Sequence, residues 1–376
     1  MKIVCDNNIP FLKGALEPYA EVVYLPGKDT TAETVRDADA VITRTRTRCN
    51  ESLLKGSKVR FIATATIGFD HIDTAWCEQN GIRWTNAPGC NSWSVRQYIA
   101  SLLLTMAKEM NFRCSDKVLG VIGVGNVGSK VAEIAGSLGF KVLLNDPPRA
   151  RKEGSDGFVS LDEIVRSCDI ITCHVPLIRE GEDCTFHMFD EARLASMRRD
   201  QILINSSRGE VVDNAALKSA LKAGHIKAAS LDVWENEPEI DRELMSLLFT
   251  ATPHIAGYSL DGKANGTWMS VQAVARALGL PCTDWKVREI PLPAQPVRFS
   301  LDAAGKTIQD ILTEAVIHTY DIRDDDRRLR QSPATFEAQR AAYPVRREFP
   351  TFTVTLEHGT PEAEAILTKI GFNIEK

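Results

Sequence analysis

Three polar side chains, each placed just after an apolar run, are the candidates for chemistry in this sequence. Arg208 follows ILINSS, Glu237 lies in LDVWENEP, and His254 lies in TPHIAGY. A histidine titrates near neutrality and suits a general base, a carboxylate can orient it and favour the imidazolium, and an arginine can bind a substrate carboxylate with two parallel bonds. Singly, each is also explained as a solvated loop residue. Together, at the ends of strands of one sheet, they predict a site that removes a hydroxyl proton.

A glycine-rich turn between two apolar runs predicts a dinucleotide site. Within VLGVIGVGNVGSK, Gly123, Gly125 and Gly128 have the spacing G-x-G-x-x-G, a helical pattern follows, and the next apolar run ends at Asp146. The glycines permit a tight turn and a close approach of the backbone to a pyrophosphate, and the acid has the spacing of a ribose contact. The alternative is a glycine-punctuated α/β turn without a ligand. The complete strand, turn, helix, strand and acid favour the cofactor site.

Composition excludes several classes of protein. The chain has 376 residues, 44% of them hydrophobic and 25% charged, which is typical of a soluble globular protein with two or three domains. The net charge of −5 argues against nucleic-acid binding, and no apolar run is long enough to span a membrane. The nine cysteines have neither framework nor C-x-x-C spacing, so they are interpreted as reduced core residues. We therefore expect a cytoplasmic protein without a metal, a membrane or a nucleic-acid partner.

Alternating strand-like and helical segments predict an α/β protein with two Rossmann-like, doubly wound parallel sheets joined by crossover helices. A long helix, capped by Ser92 or Ser94, leads from the first sheet towards the glycine turn. A proline-rich connector at residues 290–296 precedes a small C-terminal α+β domain. The predicted domains are residues 1–93 with 258–288, residues 94–257, and residues 289–376.

Two loops of the first domain follow predicted strands and are candidates for substrate contacts. One interleaves Arg44, Arg46 and Arg48 with threonines, which suits a phosphate or a carboxylate at the carboxyl end of a parallel strand. The alternative is a solvated strand end, whose alternation puts the three arginines on one face. The other loop, at residues 66–70, either presents backbone N–H groups to an anion or is only the turn into the next helix.

Four segments taken together carry a family resemblance. They are the glycine turn, INSSRGEVVDNAAL at residues 204–217, LDVWENEP at residues 231–238 and PHIAG at residues 253–257. In combination they resemble the D-isomer-specific 2-hydroxyacid dehydrogenases over most of residues 1–285. The resemblance makes residues 1–93 with 258–288 a substrate-binding domain and residues 94–257 an NAD-binding domain.

The resemblance implies that NAD is the cofactor. Asp146 favours NAD because a 2′-phosphate would meet its negative charge, although Arg149 and Arg151 are close by in the sequence. The residues that the resemblance assigns to NAD binding are Gly123, Gly125, Asn126, Val127, Gly128, Asp146, Val175, Ser206, Ser207, Arg208, Asp232 and Gly257.

The resemblance also implies the reaction, which is loss of a hydride from C2 of a 2-hydroxy acid. Arg208 would bind the carboxylate, His254 would take the hydroxyl proton, and Glu237 would orient His254. The resemblance makes Thr45, Thr66 and Tyr258 substrate contacts. Gly68, in the loop of Thr66, is added to the substrate-binding residues, and Arg44 and Arg46 are added from their charge and position alone. Segments of the tail, such as YDIR at residues 320–323, resemble a branch of the family with a phosphorylated substrate, in which the C-terminal domain forms a homodimer.

Two other functions stay open at this point. One is a dehydrogenase for another D-2-hydroxy acid, such as 3-phosphoglycerate or glycerate, although the tail lacks the βαββαβ pattern of a regulatory module. The other is a non-catalytic, NAD-sensing scaffold on the same fold. The scaffold is disfavoured because the sequence contains each element that catalysis needs.

Overall fold

The computed structural model describes residues 1–375 and divides into two compact units. The first unit combines residues 1–91 with residues 259–291, and the second combines residues 92–258 with the chain from residue 292 onward. The C-terminal segment thus groups with the sheet that carries the glycine turn. Its separation as a third domain stays a prediction.

The first unit is built on a five-stranded parallel sheet. Its strands are Lys2–Asp6 (β1), Glu21–Leu25 (β2), Ala40–Thr43 (β3), Phe61–Thr64 (β4) and Arg83–Thr85 (β5), and its first helices are Ala32–Val35 (α1), Glu51–Leu54 (α2) and Thr74–Gln79 (α3). The strand order is β2-β1-β3-β4-β5. Val41 and Ile42 pack into different apolar clusters on opposite faces of the sheet, which explains why β3 is apolar without interruption.

The second unit contains a six-stranded parallel sheet, which explains the position of the glycine turn. Its strands are Val118–Ile122 (β6), Lys141–Asn145 (β7), Ile170–Cys173 (β8), Ile202–Asn205 (β9), Ala228–Leu231 (β10) and Thr250–Ala251 (β11), in the order β11-β10-β9-β8-β6-β7. Its helices up to this point are Ser92–Glu109 (α4), Asn126–Ser137 (α5), Pro147–Glu153 (α6), Leu161–Ser167 (α7), Glu191–Ser196 (α8), Asn214–Lys222 (α9) and Arg242–Leu247 (α10). The chain proceeds from β6 to β7 on one side and then to β8 on the other. The loop after β6 therefore lies at the switch point where such sheets bind ligands.

The C-terminal segment forms a small three-stranded parallel sheet with its own helices. After Leu260–Leu278 (α11), which packs in the first unit, the elements are Arg298–Asp302 (β12), Ile308–Thr319 (α12), Ile322–Gln331 (α13), Phe336–Ala341 (α14), Thr353–Glu357 (β13), Pro361–Ile370 (α15) and Asn373–Glu375 (β14). The strand order is β12-β13-β14. Apolar residues of α12 and α15 join those of α4, α5 and β6 in one cluster. This tail therefore extends the core of the second unit.

Helix α4 shows how tightly the tail is joined to that core. It is buried from Val95 to Ala107, although it contains several polar residues. Arg96 Nη1 donates to the carbonyl of Ile370 at 2.9 Å, and Ser101 Oγ donates to the carbonyl of Tyr320 at 2.8 Å. Because these buried polar groups bond to the tail, its removal would cost Arg96 the carbonyl of Ile370 and Ser101 the carbonyl of Tyr320.

Side-chain caps explain where many helices begin, and α4 corrects one predicted cap. Asp190 accepts a bond from the backbone N–H of Arg193, so α8 starts at Glu191. Helix α4 already begins at Ser92, so neither Ser92 nor Ser94 precedes it as a cap. Ser94 Oγ instead donates to Glu348 Oε1 at 3.1 Å. Within residues 1–375, no helix has both the length and the hydropathy needed to cross a membrane.

Candidate active site

The turn between β6 and α5 has the shape of a pyrophosphate cradle. A Cβ on Gly123 (φ +81°) would lie 2.7 Å from the carbonyl oxygen of His174, and a Cβ on Gly128 would lie 1.8 Å from that of Gly123. Both positions therefore require glycine. A Cβ on Gly125 would meet no atom within 4 Å, and α5 begins there without a side-chain cap. Open space beside uncapped N–H groups fits a phosphate.

Asp146 follows β7 and is anchored by two hydrogen bonds. Its Oδ2 accepts from the N–H of Val124 at 2.8 Å, and its Oδ1 accepts from the N–H of Arg149 at 3.0 Å, which caps α6. Both nearby arginines are engaged by carboxylates, Arg149 by Glu153 and Arg151 by a pair of acids, Glu182 and Asp183. The carboxylate of Asp146 therefore lies beside the glycine turn, and the two arginines are already paired. This arrangement fits NAD better than NADP.

The loop after β11 brings His254 and Glu237 together. His254 Nδ1 lies 2.8 Å from Glu237 Oε2, while Glu237 Oε1 accepts from the N–H of Trp234 at 2.9 Å. A carboxylate only accepts, so Nδ1 carries the proton, and in the neutral ring Nε2 keeps a free electron pair. Burial alone would raise the pKa of Glu237, but its hydrogen bond to His254 and the nearby positive charges hold this pKa below its usual value. The pair can work as a general base.

Asp232 organises the loop that carries His254. The side chain is 1% exposed, and its Oδ1 accepts from the hydroxyl of Thr252 and the N–H of Ile255, both at 2.7 Å. Its Oδ2 accepts from the N–H of Ala256 at 2.9 Å. His254 itself has φ +56°, and its N–H donates to the carbonyl of Asp232 at 2.7 Å. The left-handed backbone of His254 is thus held by this bond and by the bonds of the next two residues to the buried carboxylate.

The loop after β9 presents Arg208 on the same side of the sheet. Asn205 fixes the turn, because its Nδ2 donates to the carbonyl of Arg208 at 2.8 Å and its Oδ1 accepts from the N–H and the hydroxyl of Ser207. A Cβ on Gly209 would lie 2.0 Å from the carbonyl oxygen of Trp234, so the Arg208 loop lies directly against the segment that leads to Glu237. Ser206 Oγ is buried and has no hydrogen-bond partner among residues 1–375, which fits a polar ligand beside this loop.

The remaining predicted NAD contacts lie in the second unit, around the same edge of its sheet. Val175 follows β8 and packs against the glycine turn, since a Cβ on Gly123 would lie 2.7 Å from Val175 Cγ1. Asn126 is exposed and Val127 half-buried at the start of α5, and Gly257 is half-buried after the His254 loop. The glycine turn, the Arg208 loop and the His254 loop thus all follow parallel strands of this sheet, at their carboxyl ends.

Tyr258 also belongs to the second unit, and the C-terminal segment surrounds its ring. The ring of Tyr343 meets it edge-on at 5.7 Å, and the guanidinium carbon of Arg340 lies 5.6 Å from its centre. The positive charge of Arg340 also contributes to the low pKa of Glu237. No sequence motif pointed to Arg340, because it reaches this loop from a helix far along the chain.

The predicted substrate contacts in the first unit lie on two loops. Strand β3 ends at Thr43, and residues 44–48 form a turn, so the strand alternation considered for the three arginines is wrong. Two side-chain bonds to other segments hold this turn. The hydroxyl of Thr47 donates to the carbonyl of Gly27 at 3.1 Å, and Arg44 Nη1 donates to the carbonyl of Asn8 at 2.7 Å. Thr45 and Arg46 are exposed on this turn.

A cavity of about 500 Å³ lies beside that turn in the first unit. Its lining includes Thr45 and Arg48. The second loop is closed by Thr66, whose hydroxyl lies 2.7 Å from that of Thr64 and donates to the carbonyl of Gly68 at 2.9 Å. Both loops therefore have defined shapes that a small ligand could meet.

His174 is a buried residue that no sequence motif indicated. Its Nε2 lies 3.0 Å from the hydroxyl of Thr172, and its Nδ1 is buried without a partner among the described residues. Burial lowers the pKa of His174 to about 3, so the ring is neutral at physiological pH. Its carbonyl packs against Gly123, which makes it part of the support of the glycine turn.

The chain is similar to a known protein family and to known proteins. Residues 94–256 match the family described as D-isomer specific 2-hydroxyacid dehydrogenase, NAD binding domain, and residues 292–371 match a domain of unknown function. NAD is therefore the cofactor. Proteins named erythronate-4-phosphate dehydrogenase are similar over nearly the full length. The protein from Bacteroides thetaiotaomicron is 50% identical over 94% of this chain and 99% of its own, and the one from Porphyromonas gingivalis is 42% identical over 99% and 100%.

Solved structures agree with this result. D-lactate dehydrogenase from Aquifex aeolicus, complexed with NAD and lactic acid, is 27% identical, with a TM-score of 0.61 over 74% of this chain and 96% of that one. The NAD-dependent formate dehydrogenase from Staphylococcus aureus, 23% identical with a TM-score of 0.60 over 76% of this chain and 97% of its own, shares the fold. The chain therefore belongs to the D-isomer specific 2-hydroxyacid dehydrogenase family and is an NAD-dependent oxidoreductase.

Proposed function

We propose that this enzyme oxidises 4-phospho-D-erythronate to 2-oxo-3-hydroxy-4-phosphobutanoate, with NAD as the hydride acceptor, in the biosynthesis of pyridoxal 5′-phosphate. The observation that carries the reaction type is the hydrogen-bonded pair of His254 Nδ1 and Glu237 Oε2, at 2.8 Å. The substrate is supported by relatives named erythronate-4-phosphate dehydrogenase, which are 41–50% identical to this chain over 94–100% of its length.

Each residue of the pair has a defined task in this reaction. His254 Nε2 takes the proton of the C2 hydroxyl while the hydride leaves C2, so that the C–O single bond becomes a carbonyl. Glu237 then stabilises the imidazolium through the bond to Nδ1, and its charge is retained because its pKa lies below the usual value. When bound, NAD supplies the hydride acceptor at its nicotinamide ring.

Arg208 would hold the substrate carboxylate. A guanidinium suits this task because it can bind both carboxylate oxygens and polarise the C2 oxygen beside them. The turn set by Asn205 supports this role, since it fixes the backbone on both sides of Ser207. Replacing Arg208 by lysine would keep the charge and lose the planar fork. We expect R208K to raise the KM for the hydroxy acid more than the KM for NAD.

The phosphate group of the substrate is assigned to the turn that carries Arg44 and Arg46. Supporting this, Arg46 is exposed, Arg48 lines the neighbouring cavity with Thr45, and the turn follows a parallel strand. The double variant R44A/R46A tests the assignment. It is expected to raise the KM for the phosphorylated substrate and to leave the KM for NAD unchanged. An unaltered KM for the phosphorylated substrate would contradict the assignment.

The remaining roles are proposed on the same basis. NAD would contact Gly123, Gly125 and Gly128 with its pyrophosphate and Asp146 with the adenine ribose, and Asp232 would hold the nicotinamide amide. Asn126, Val127, Val175, Ser206, Ser207 and Gly257 would complete that site, and Thr66, Gly68 and Tyr258 would contact the substrate.

A substrate panel tests the proposed function. Initial rates of NADH formation would be measured with 4-phospho-D-erythronate, 3-phospho-D-glycerate and D-glycerate, each with and without an added 2-oxo acid. The proposal predicts the highest kcat/KM for 4-phospho-D-erythronate. A higher value for 3-phospho-D-glycerate would identify the rival dehydrogenase, and NAD binding without turnover of any 2-hydroxy acid would identify the scaffold.

Two further proposals concern the state of the protein in the cell. We infer a homodimer formed through residues 289–376, supported by the resemblance of this tail and by Leu292, which is 63% exposed. Sedimentation of the full chain at twice the mass of 41.6 kDa would support it, and a monomer at micromolar concentration would contradict it. We also infer a cytoplasmic location, supported by nine free cysteines, of which only Cys184 is exposed.

A further inference from the structure

The C-terminal segment delivers a buried arginine to the loop that carries His254. Arg346 is 4% exposed, and its Nη2 donates to the carbonyl of Ala256 at 2.5 Å. The N–H of the same Ala256 donates to Asp232 Oδ2 at 2.9 Å. Both main-chain polar groups of Ala256, two residues beyond His254, are therefore held by buried charged side chains of opposite sign.

Other side chains of the tail fix the direction of Arg346. Its guanidinium carbon lies 4.5 Å from the ring centre of Tyr320 and 5.8 Å from that of Tyr343. The hydroxyls of these two tyrosines donate to Asp325 Oδ2 at 2.8 and 2.6 Å. A planar guanidinium can stack on a ring and still donate in its own plane, which a lysine ammonium cannot do. The cluster of Arg346, Tyr320, Tyr343 and Asp325, hereafter the tail cluster, thus aims one N–H at the His254 loop.

The loop needs such support because of its backbone conformation. His254 has φ +56°, a conformation that residues other than glycine rarely adopt unless their surroundings stabilise it. On its N-terminal side the loop is anchored through the hydroxyl of Thr252 and the N–H of His254. On its C-terminal side, the bond from Arg346 is the contact from outside the sheet that fixes the carbonyl of Ala256.

We propose that Arg346 is a positioning residue for His254 and acts through the main chain of Ala256. This deepens the proposed function and rests on it, because it treats His254 as the base. The C-terminal segment, which matches a domain of unknown function, would then hold His254 Nε2 within hydrogen-bonding reach of the C2 hydroxyl. A displacement of about 1 Å in a reacting group can lower the rate about 100-fold.

The variant R346K tests the proposal, with R330K as its matched control. Arg330 lies on the same segment and donates to the carbonyls of Met245 and Leu248 at 2.7 and 2.8 Å, but neither carbonyl belongs to the His254 loop. We expect R346K to lower kcat by about 10- to 100-fold with little change in KM, and to raise the primary isotope effect of a deuterium at C2. We expect R330K to keep kcat within about twofold of the wild type.

Hydrogen exchange of the NAD-free protein gives a readout that does not depend on activity. In R346K, the amides of Ile255 and Ala256 are expected to exchange faster while those of the sheet keep wild-type rates, and R330K should leave both amides unchanged. If R346K folds poorly, Y343F replaces it, because it removes the hydroxyl that lies 3.5 Å from Arg346 Nη1 and 2.6 Å from Asp325.

The outcomes separate this inference from the proposed function. Wild-type exchange at Ile255 and Ala256 together with a kcat equal to that of R330K would overturn the role of Arg346, even if the enzyme oxidises 4-phospho-D-erythronate. Conversely, if the wild type oxidises no 2-hydroxy acid, the proposed function fails, whereas faster exchange in R346K would still establish the anchor.

Discussion

Replacing Glu237 by glutamine removes the charge behind His254 and keeps the shape of the side chain. Glu237 Oε2 lies 2.8 Å from His254 Nδ1, and the carboxylate side chain is only 19% exposed, so the bond is shielded from water. A charge-assisted hydrogen bond of this kind contributes about 1.5–3 kcal/mol net. If that energy stabilises the imidazolium that forms as the proton leaves, E237Q lowers kcat/KM by about 10- to 150-fold.

The same contact predicts a pH dependence. Burial alone would raise the pKa of Glu237, but the hydrogen bond and charge of His254 hold this pKa below its usual value. The carboxylate therefore loses its charge only when the pH falls through this lowered pKa. The ratio of kcat/KM between the wild type and E237Q should stay constant near neutral pH and shrink only at acidic pH, where Glu237 of the wild type becomes protonated.

The assay is the initial rate of NADH formation from acidic to neutral pH, with E235Q as the control. Glu235 Oε1 lies 2.7 Å from His187 Nε2, and this neighbouring pair is similarly half-buried. E235Q should keep the wild-type profile because no step of the reaction uses His187. The reasoning is refuted if E237Q keeps the wild-type kcat/KM at neutral pH, or if E235Q loses as much activity.

Three further predictions concern the cofactor site and its support. In G125A the added methyl group enters open space beside α5, so the protein should stay folded. The Kd for NAD, measured by fluorescence titration, should rise about tenfold or more because the methyl occupies the space of the pyrophosphate. The control G136A also places its methyl in open space and should leave this Kd unchanged. Burial lowers the pKa of His174 to about 3, whereas the unfolded chain binds this proton near pH 6.5, so stability falls by about 2 kcal/mol between pH 7 and 5. Urea unfolding of H174Q should lack this part of the loss, and an equal loss in both proteins would contradict the burial argument. D146N removes the charge that a 2′-phosphate would meet, so kcat/KM for NAD relative to NADP should fall about tenfold, and an unchanged ratio would show that Asp146 does not select the cofactor.

The glycine turn and the fold class could be predicted from sequence because their signals are local. Gly123, Gly125 and Gly128 lie within six positions, and the apolar runs around them have the lengths of strands and a helix. The rule that parallel strands expose their carboxyl ends on one edge was enough to group Glu237 with His254. The hydrogen bond between them agrees with that grouping.

Features that depend on distant partners could not be predicted. The turn after Thr43 forms because Thr47 bonds to Gly27, which lies twenty positions away. Helix α6 carries two prolines at its start and gave no helical pattern, yet Asp146 caps it and prolines are tolerated in a first turn. Arg346 meets the carbonyl of Ala256 across ninety positions of sequence, and no local pattern encodes that contact.

The transfer of deuterium from C2 of the substrate tests the central claim most directly. 4-Phospho-D-erythronate deuterated at C2 would be incubated with NAD and the enzyme, and the products would be analysed by mass spectrometry. We predict that one deuterium appears in the reduced cofactor, that the 2-oxo product carries none at C2, and that H254Q abolishes the transfer while still binding NAD. Reduced cofactor without deuterium, or undiminished transfer in H254Q, would contradict the account.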